Sequence, residues 1–490
     1  MELTLPVNTS NGASGPGRLQ ICADDRSLTP YAGLAITGEL VRGLGLVGLV
    51  EGELSMVCGV APVKQRARGL SAGELAVSIA ECQLTGAECF DDLEDVRADR
   101  AGAPLRAVAR TPSAPTARQL ARRFERGHVE AIERAVARAG ERLDRELGRD
   151  LTEAVTIDLD ATETEVYGRA KQGAARSHTG ALAYSSYVAT WAQRGRALTS
   201  ELRGGNESRI SAAESAAIVA RATGLLPAEH GEVTVRGDSG FYAVALMIAL
   251  RAQGARFTFS APRTSTMWRA VGQIPDNAWA DAVQMRGAQV AEQAFTPAGW
   301  EREPLRLIVR RVPVSAAEIR AGSPRARRRS TIPADQLQMV LDGRLASTFA
   351  YSFIVTDVPA AERTCTDVER FHRQRAQIEE RFKDAKLGQA LRHLPSGDMN
   401  ANRLWLACAL IALNITALLC DVSPAAAASG NAPDDTPLRR HAKTLRHLMI
   451  CVPARIVRTA RQIIVRLPAG FRHADIFRDT YHAAYALPGP

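Results

Sequence analysis

The sequence predicts an α/β protein with a mixed sheet and a helical N-terminal region, and three observations carry that expectation. Strand-like runs of alternating or β-branched residues begin only after residue 150. Helical periodicity then alternates with the later strands, at 211–224 and 241–252. Residues 1–150 instead carry charged, helical patterns.

Taken in order, a tail containing Gly, Asn and Ser opens the chain, and the rest of 1–150 is expected to be helical. Thr116-x-x-Gln119 has the form of a capping box. The run from Ala117 to Glu146 reads as one or two charged helices, with Arg118, Arg122, Arg123 and Arg126 near its start. Strands are expected at 155–160, 164–167, 180–186, 232–238 and 256–261. Residues 151–262 would then form the first part of the core and 351–422 the second, with Ser352–Thr356 as the returning strand. About 140 residues separate Asp238 from Glu379, more than one helix and one strand require, so 263–350 is expected to be an inserted, β-rich domain around Leu305–Val312. Leu404–Cys420 is almost wholly apolar. It holds Asn414 and Thr416 and falls short of the roughly 20 residues of a membrane span, so a buried core helix is expected and no membrane. Residues 430–490 form a basic C-terminal region, where Arg455, Arg458 and Arg461 stand at helical spacing before the strand-like Ile463–Leu467.

Composition narrows the class of partner. The chain has 490 residues, 46% of them hydrophobic, enough for two to four substantial cores. Lys plus Arg number 62 against 53 Asp plus Glu, and a net charge of +9 suits a polyanion. Eight scattered cysteines form no Cys-x2-Cys pair, so they read as free thiols of a reducing compartment and suggest neither zinc nor a disulfide framework. Met1–Pro6 shows no basic stretch leading into an apolar run, and no export signal is expected.

The acids carry the chemistry. In Val155–Thr162 the alternation turns Asp158 and Asp160 to one face, and in Glu232–Phe241 a β-branched strand runs into a Gly-flanked turn with Asp238 at its end. Ligands of α/β sheets bind at such strand ends. Farther on, a helix over 372–386 would place His372, Arg375, Lys383 and Lys386 within about 40° of Glu379 around the axis, with Glu380 outside that cluster. Acids on two strands and one helix make a cage of hard oxygens suited to Mg²⁺ or Mn²⁺, flanked by cations for phosphates. The densest positive run, Pro324–Ser330, offers Arg327, Arg328 and Arg329 for DNA phosphates. Trp268, Trp279 and Trp300 lie in the same insert.

Together these residues resemble a DDE transposase of a bacterial insertion sequence, in the branch with a Tyr-x2-Arg-x3-Glu-x6-Lys motif, and most of all the insertion-sequence thirteen-eighty family. The motif reads His372, Arg375, Glu379, Lys386, with His in place of the tyrosine. Asp-x-Asp-x-Thr matches Asp158, Asp160 and Thr162, and Arg-x-Asp-Ser-Gly-Phe matches Arg236 and Asp238–Phe241. The resemblance implies a ribonuclease H-like catalytic core interrupted by the insertion, and a triad of Asp160, Asp238 and Glu379. Asp158 stands as a further metal ligand or as the alternative first acid, with Asp160 preferred because Asp-x-Thr is the commoner form. It also implies metal-dependent cut-and-paste transposition through two Mg²⁺ or Mn²⁺ ions, by way of a hairpin or a direct double-strand cut. The implied partners are double-stranded DNA, both terminal inverted repeats and target, and a second copy of the chain in a homodimeric synaptic complex at the bacterial nucleoid in the cytoplasm. Residues 1–150 would recognise the element's ends. A transposase-derived DNA-binding repressor and a metal-dependent nuclease without strand transfer are the alternatives.

Overall fold

The computed structural model describes residues 3–5, 19–66, 68–168, 170–177, 180–207, 210–321, 330–375, 391–423 and 440–489. Two short strands, β1 (Leu3–Leu5) and β2 (Leu19–Ile21), pair at the start, and β3 (Leu28–Thr29) follows. The N-terminal region is then helical, as expected: α1 (Leu34–Gly43), α2 (Leu46–Ser55), α3 (Ala72–Thr85), α4 (Leu93–Ala98), α5 (Ala114–Ala121) and α6 (Arg126–Glu146). A capping box opens α3, where Ser71 Oγ accepts from the Glu74 amide and Glu74 returns a bond to the Ser71 amide. The capping box expected at Thr116 does not form. Ser113 is the residue before α5 and Pro115 lies in its first turn, so Thr116 is already inside the helix, with its hydroxyl 2.9 Å from that of Ser113.

The second body is one ten-stranded sheet among the described residues. Its members are β4 (Val155–Glu165), β5 (Ala175–Arg176), β6 (Leu182–Trp191), β7 (Arg196–Gly204), β8 (Val233–Gly237), β9 (Arg256–Ala261), β10 (Ala280–Asp281), β11 (Gln289–Phe295), β12 (Leu305–Ser315) and β13 (Ser347–Thr356). They lie in the order β10-β11-β12-β13-β9-β8-β4-β6-β5, with β7 also paired to β6. β4, β8 and β9 are mutually parallel, whereas β6 runs antiparallel to β4 and β7 antiparallel to β6. Helices α7 (Ala212–Thr223) and α8 (Val244–Ala252) make the crossovers that such parallel neighbours need. The strands expected separately at 155–160 and 164–167 are one continuous strand, and β7 was not expected at all. Both faces of β7 are covered, Leu198 facing the sheet core and Ala197 and Leu202 the helical core, which blurs its alternation.

The expectation of a separate β-rich insertion is corrected. Its strands β11 and β12 join the core sheet through β13, which pairs with β9, and Phe295, Trp300, Leu305, Leu307 and Val309 share one core with Val155, Ile157 and Leu159. Pairing of β12 with β13 runs from Ser347 to Thr356, straight across the expected boundary at 350. Trp268 and Trp279 pack against this same core, and the Trp300 ring nitrogen donates to the Glu303 carbonyl. Helices α9 (Ser265–Val271), α10 (Ala316–Ala321) and α11 (Ala334–Leu341) decorate the stretch, and α12 (Cys365–Arg373) follows β13.

The apolar segment is a buried core helix, α13 (Met399–Val422), packed against α3, α6 and β7. It is long and apolar enough to cross a membrane, yet 89% of its most apolar window is buried within the protein. Its polar residues explain themselves: Asn414 accepts from the Ala197 amide at 2.8 Å and donates to the Ala197 carbonyl at 2.9 Å, closing the open edge of β7. Buried Arg196 bridges Asp144 of α6 and Asp421 of α13, each at 2.7 Å, so one guanidinium ties sheet and helices together. At the C-terminal end, α14 (Ala442–Leu445) leads to a three-stranded sheet, where β14 (Ala454–Arg458) pairs with β15 (Ile463–Arg466) and with β3, and α15 (Ala474–Tyr485) packs on α1. The helical reading of Arg455, Arg458 and Arg461 is therefore wrong. The first two lie on β14, where buried Ala454 and Ile456 flank exposed Arg455 in strand alternation and Arg458 ends the strand.

Candidate active site

Asp160 and Asp238 are brought together by strand register. Parallel β4 and β8 pair Val155 with Val233 and so on to Asp158 with Arg236. Each acid lies two residues beyond that last pair, Asp160 on β4 and Asp238 just past the end of β8, and the two strands lie roughly 4.8 Å apart. β8 stops at Gly237, where a Cβ would stand 2.9 Å from ring carbons of Phe259, so a side chain there would have to displace that ring. Asp238 then caps the turn Ser239–Phe241, its Oδ1 accepting from the Gly240 amide at 2.8 Å. Asp160 accepts from the Ala161 amide at 2.9 Å, and Arg375 Nη1 lies 4.0 Å from its Oδ1. Asp160, within β4, thus lies beside a guanidinium, and Asp238 lies just past the end of the neighbouring strand.

Asp158, on the same strand, meets a different fate. Arg236 Nε donates to its Oδ1 at 2.6 Å and Nη2 to its Oδ2 at 2.8 Å, and both side chains are 3% exposed. This fork-to-fork pair occupies both carboxylate oxygens. The third donor of Arg236, Nη1, reaches the Phe371 carbonyl in the last turn of α12, and its guanidinium lies 4.7 Å from the centre of the Phe371 ring. In the sequence Arg236 stands out only as part of a motif, yet a buried cation on a strand needs a carboxylate on its neighbour, and Asp158 supplies it.

His372 is buried against β9, with Nδ1 2.9 Å from Thr258 Oγ1 and Nε2 2.9 Å from Ser260 Oγ. Burial first, and then the positive field of Arg375, Arg236 and Arg310, pushes its pKa down to about 3. The phosphate contact expected of His372 is corrected accordingly, because a neutral ring with both nitrogens bonded inside the protein has nothing to offer an anion. Thr258 and Ser260, alternating with the core residues Phe257 and Phe259, form the polar face that receives it. Nearby, Glu369 of α12 is fully buried between Arg310 at 2.6 Å and Arg373 at 3.2 Å.

The α-helix ends at Arg373, and Arg375 follows in a turn whose amide donates to the His372 carbonyl. Glu379, Lys383, Lys386, Arg327, Arg328 and Arg329 lie outside the described residues, so the expected single helical face over 372–386 is described only at its start. Among the described residues no cluster of three or more His, Cys, Asp or Glu is arranged to hold a metal.

The family model described as "Transposase DDE domain group 1" matches residues 21–320 and 343–488. No curated protein matches the chain. Among solved structures, the chain is similar to one described as the cryo-EM structure of a piggyBac transposase synaptic complex with hairpin DNA. The identity is 8% and the TM-score 0.40, over 84% of this chain and 78% of that one. With the family match spanning most of its length, the chain belongs to the transposases with a group 1 DDE domain.

Proposed function

We propose that this transposase cuts DNA at the ends of an insertion sequence and joins the freed 3′ ends to target DNA, with Asp160, Asp238 and Glu379 as its triad. The placement of Asp160 on β4 and of Asp238 just past the end of the neighbouring β8, each two residues beyond the Asp158–Arg236 pair, carries the reading. Strand order supports a core of the ribonuclease H type: β4, β6 and β7 form an antiparallel series, and β8 and β9 continue parallel to β4 on its other edge. The spacing of His372, Arg375, Glu379 and Lys386 favours the thirteen-eighty branch.

The donors fit Mg²⁺ or Mn²⁺, since Asp160 and Asp238 offer hard carboxylate oxygens while the imidazole of the motif is bonded to hydroxyls. Two such ions, when bound, would make water or a 3′-hydroxyl nucleophilic and offset charge on the departing 3′-oxygen. Asp158 is left out of the ligand set, because both its oxygens already face Arg236. In the first step the water oxygen bonds to phosphorus as the bond to the 3′-oxygen breaks. In the second the freed 3′-hydroxyl takes the place of water. Arg375, Lys383, Lys386 and Arg327–Arg329 serve to hold flanking phosphates. Duplex DNA at the inverted repeats, with residues 1–150 recognising it, duplex target and a second copy of the chain complete the reading, in the bacterial cytoplasm.

Incubating the protein with a labelled duplex bearing the element's end, in Mg²⁺ or EDTA, tests it. Metal-dependent cleavage at the boundary should vanish in Asp160→Asn, Asp238→Asn and Glu379→Gln, and a pre-cut end should be joined to target. Binding without cleavage would favour a repressor, and cleavage without joining a nuclease.

A further inference from the structure

We infer that Arg236 is a positioning residue that locks the two acid-bearing strands to the helix from which the chain continues toward Glu379. The inference rests on the proposed triad and adds a residue outside it.

Three cross-strand neighbours form one row across β4, β8 and β9: Asp158, Arg236 and Thr258. The row lies two residues, roughly 7 Å, before Asp160 on β4 and before Asp238, which follows the end of β8. The last turn of α12 sits on this row. Arg236 Nη1 reaches the Phe371 carbonyl while His372, the next residue, bonds Thr258 and, two residues along β9, Ser260. Carbonyls of a helix's last turn lack an intrahelical partner and carry partial negative charge, so a guanidinium there satisfies both needs. The same guanidinium spends its other two bonds on Asp158 and lies over the Phe371 ring, against which Arg363 also packs at 3.9 Å.

A planar fork with five donors can pair side-on with both oxygens of a carboxylate and still reach a carbonyl from its far nitrogen, whereas the three donors of an ammonium radiate from one atom and do not span that geometry. Asp158 therefore contributes through Arg236: it fixes the plane of the fork, and the fork fixes where α12 ends. The arrangement also explains two acids on β4 with different tasks, one turned to a cation inside the protein and one toward the site.

Arg236→Lys keeps the charge and removes the fork. Three quantities separate positioning from bulk structure: the affinity for the end duplex in EDTA, the single-turnover cleavage rate at saturating duplex in Mg²⁺, and the melting temperature. The expected result is cleavage slowed about 100-fold, as for a misplacement of about 1 Å, with affinity changed less than about threefold. Asp158→Asn should give a similar loss, and the double variant no more than the larger single one, because both break one device. Phe371→Leu, which keeps the carbonyl and removes only the ring, is the milder variant should Arg236→Lys fold poorly, and it should slow cleavage while leaving affinity in place. Wild-type cleavage by Arg236→Lys, or affinity and melting temperature falling in step with cleavage in every variant, would overturn the inference. Asp160→Asn and Asp238→Asn run alongside. If these two still cleave, the triad reading fails, whatever Arg236 does.

Discussion

Replacing His372 by phenylalanine should destabilise the protein at neutral pH and cease to matter near pH 5. The buried ring accepts or donates bonds at 2.9 Å to Thr258 and to Ser260, and its surroundings push its pKa from 6.5 down to about 3. A lowered folded-state pKa means that the neutral ring contributes in full above about pH 6.5 and that this contribution is lost as pH falls toward about 3. At 1.36 kcal/mol per unit, the wild type should lose about 2 kcal/mol through this group between about pH 7.5 and pH 5. Phenylalanine fills the space of the ring but leaves two hydroxyls without it, a cost of about 2 kcal/mol at neutral pH. The gap between the two proteins should therefore close from about 2 kcal/mol toward zero on acidification. Urea unfolding of both at a series of pH values measures it, and taking the difference cancels every other titrating group. A gap that stays constant down to about pH 5 would refute the claim that the ring is held neutral.

Two further predictions concern the joint between helices and sheet. Glu133 of α6 accepts from Thr199 Oγ1 and from the Ser200 amide, and burial, offset in part by Arg221 and these bonds, pushes its pKa from 4.5 up to about 7. A raised folded-state pKa reverses the sign. Its contribution is complete below about pH 4.5 and is lost as pH rises through about 7, about 3 kcal/mol in all. Glu133→Gln should be flat over that window in urea unfolding relative to wild type, and parallel pH profiles would contradict the assignment. Arg196→Met should cost about 3 kcal/mol and lower the melting temperature, because it strips a buried guanidinium from Asp144 and Asp421. An unchanged melting temperature would show that Arg149, 2.8 Å from Asp144 and 3.1 Å from Asp421, and Arg194, 3.6 Å from Asp144, suffice without it.

Local patterns were enough to read much of this protein. The alternation in Val155–Leu159, the β-branched run ending at Gly237-Asp238 and the apolar run at 404–420 each depend on neighbours in the chain, and the structure bears out the strands β4 and β8 and the buried helix. What the sequence left open turns on partners far away in the chain. Asp158 and Asp160 are equivalent by alternation, and only the register of β8, 78 residues on, gives one of them to Arg236. His372 occupies a motif position rich in cations, yet hydroxyls on β9 bury it as a neutral ring. Leu305–Val309 reads as a strand wherever it lies, and pairing with β13 decides that it extends the core sheet and does not build a second one. Arginines three apart suit a helix or a strand with a turn, and β3, more than 400 residues upstream, selects the strand. Periodicity fixes which face of an element is apolar. The element that covers that face, and the carboxylate a buried cation meets, are settled by strand register and packing between distant segments, and no local pattern encodes them.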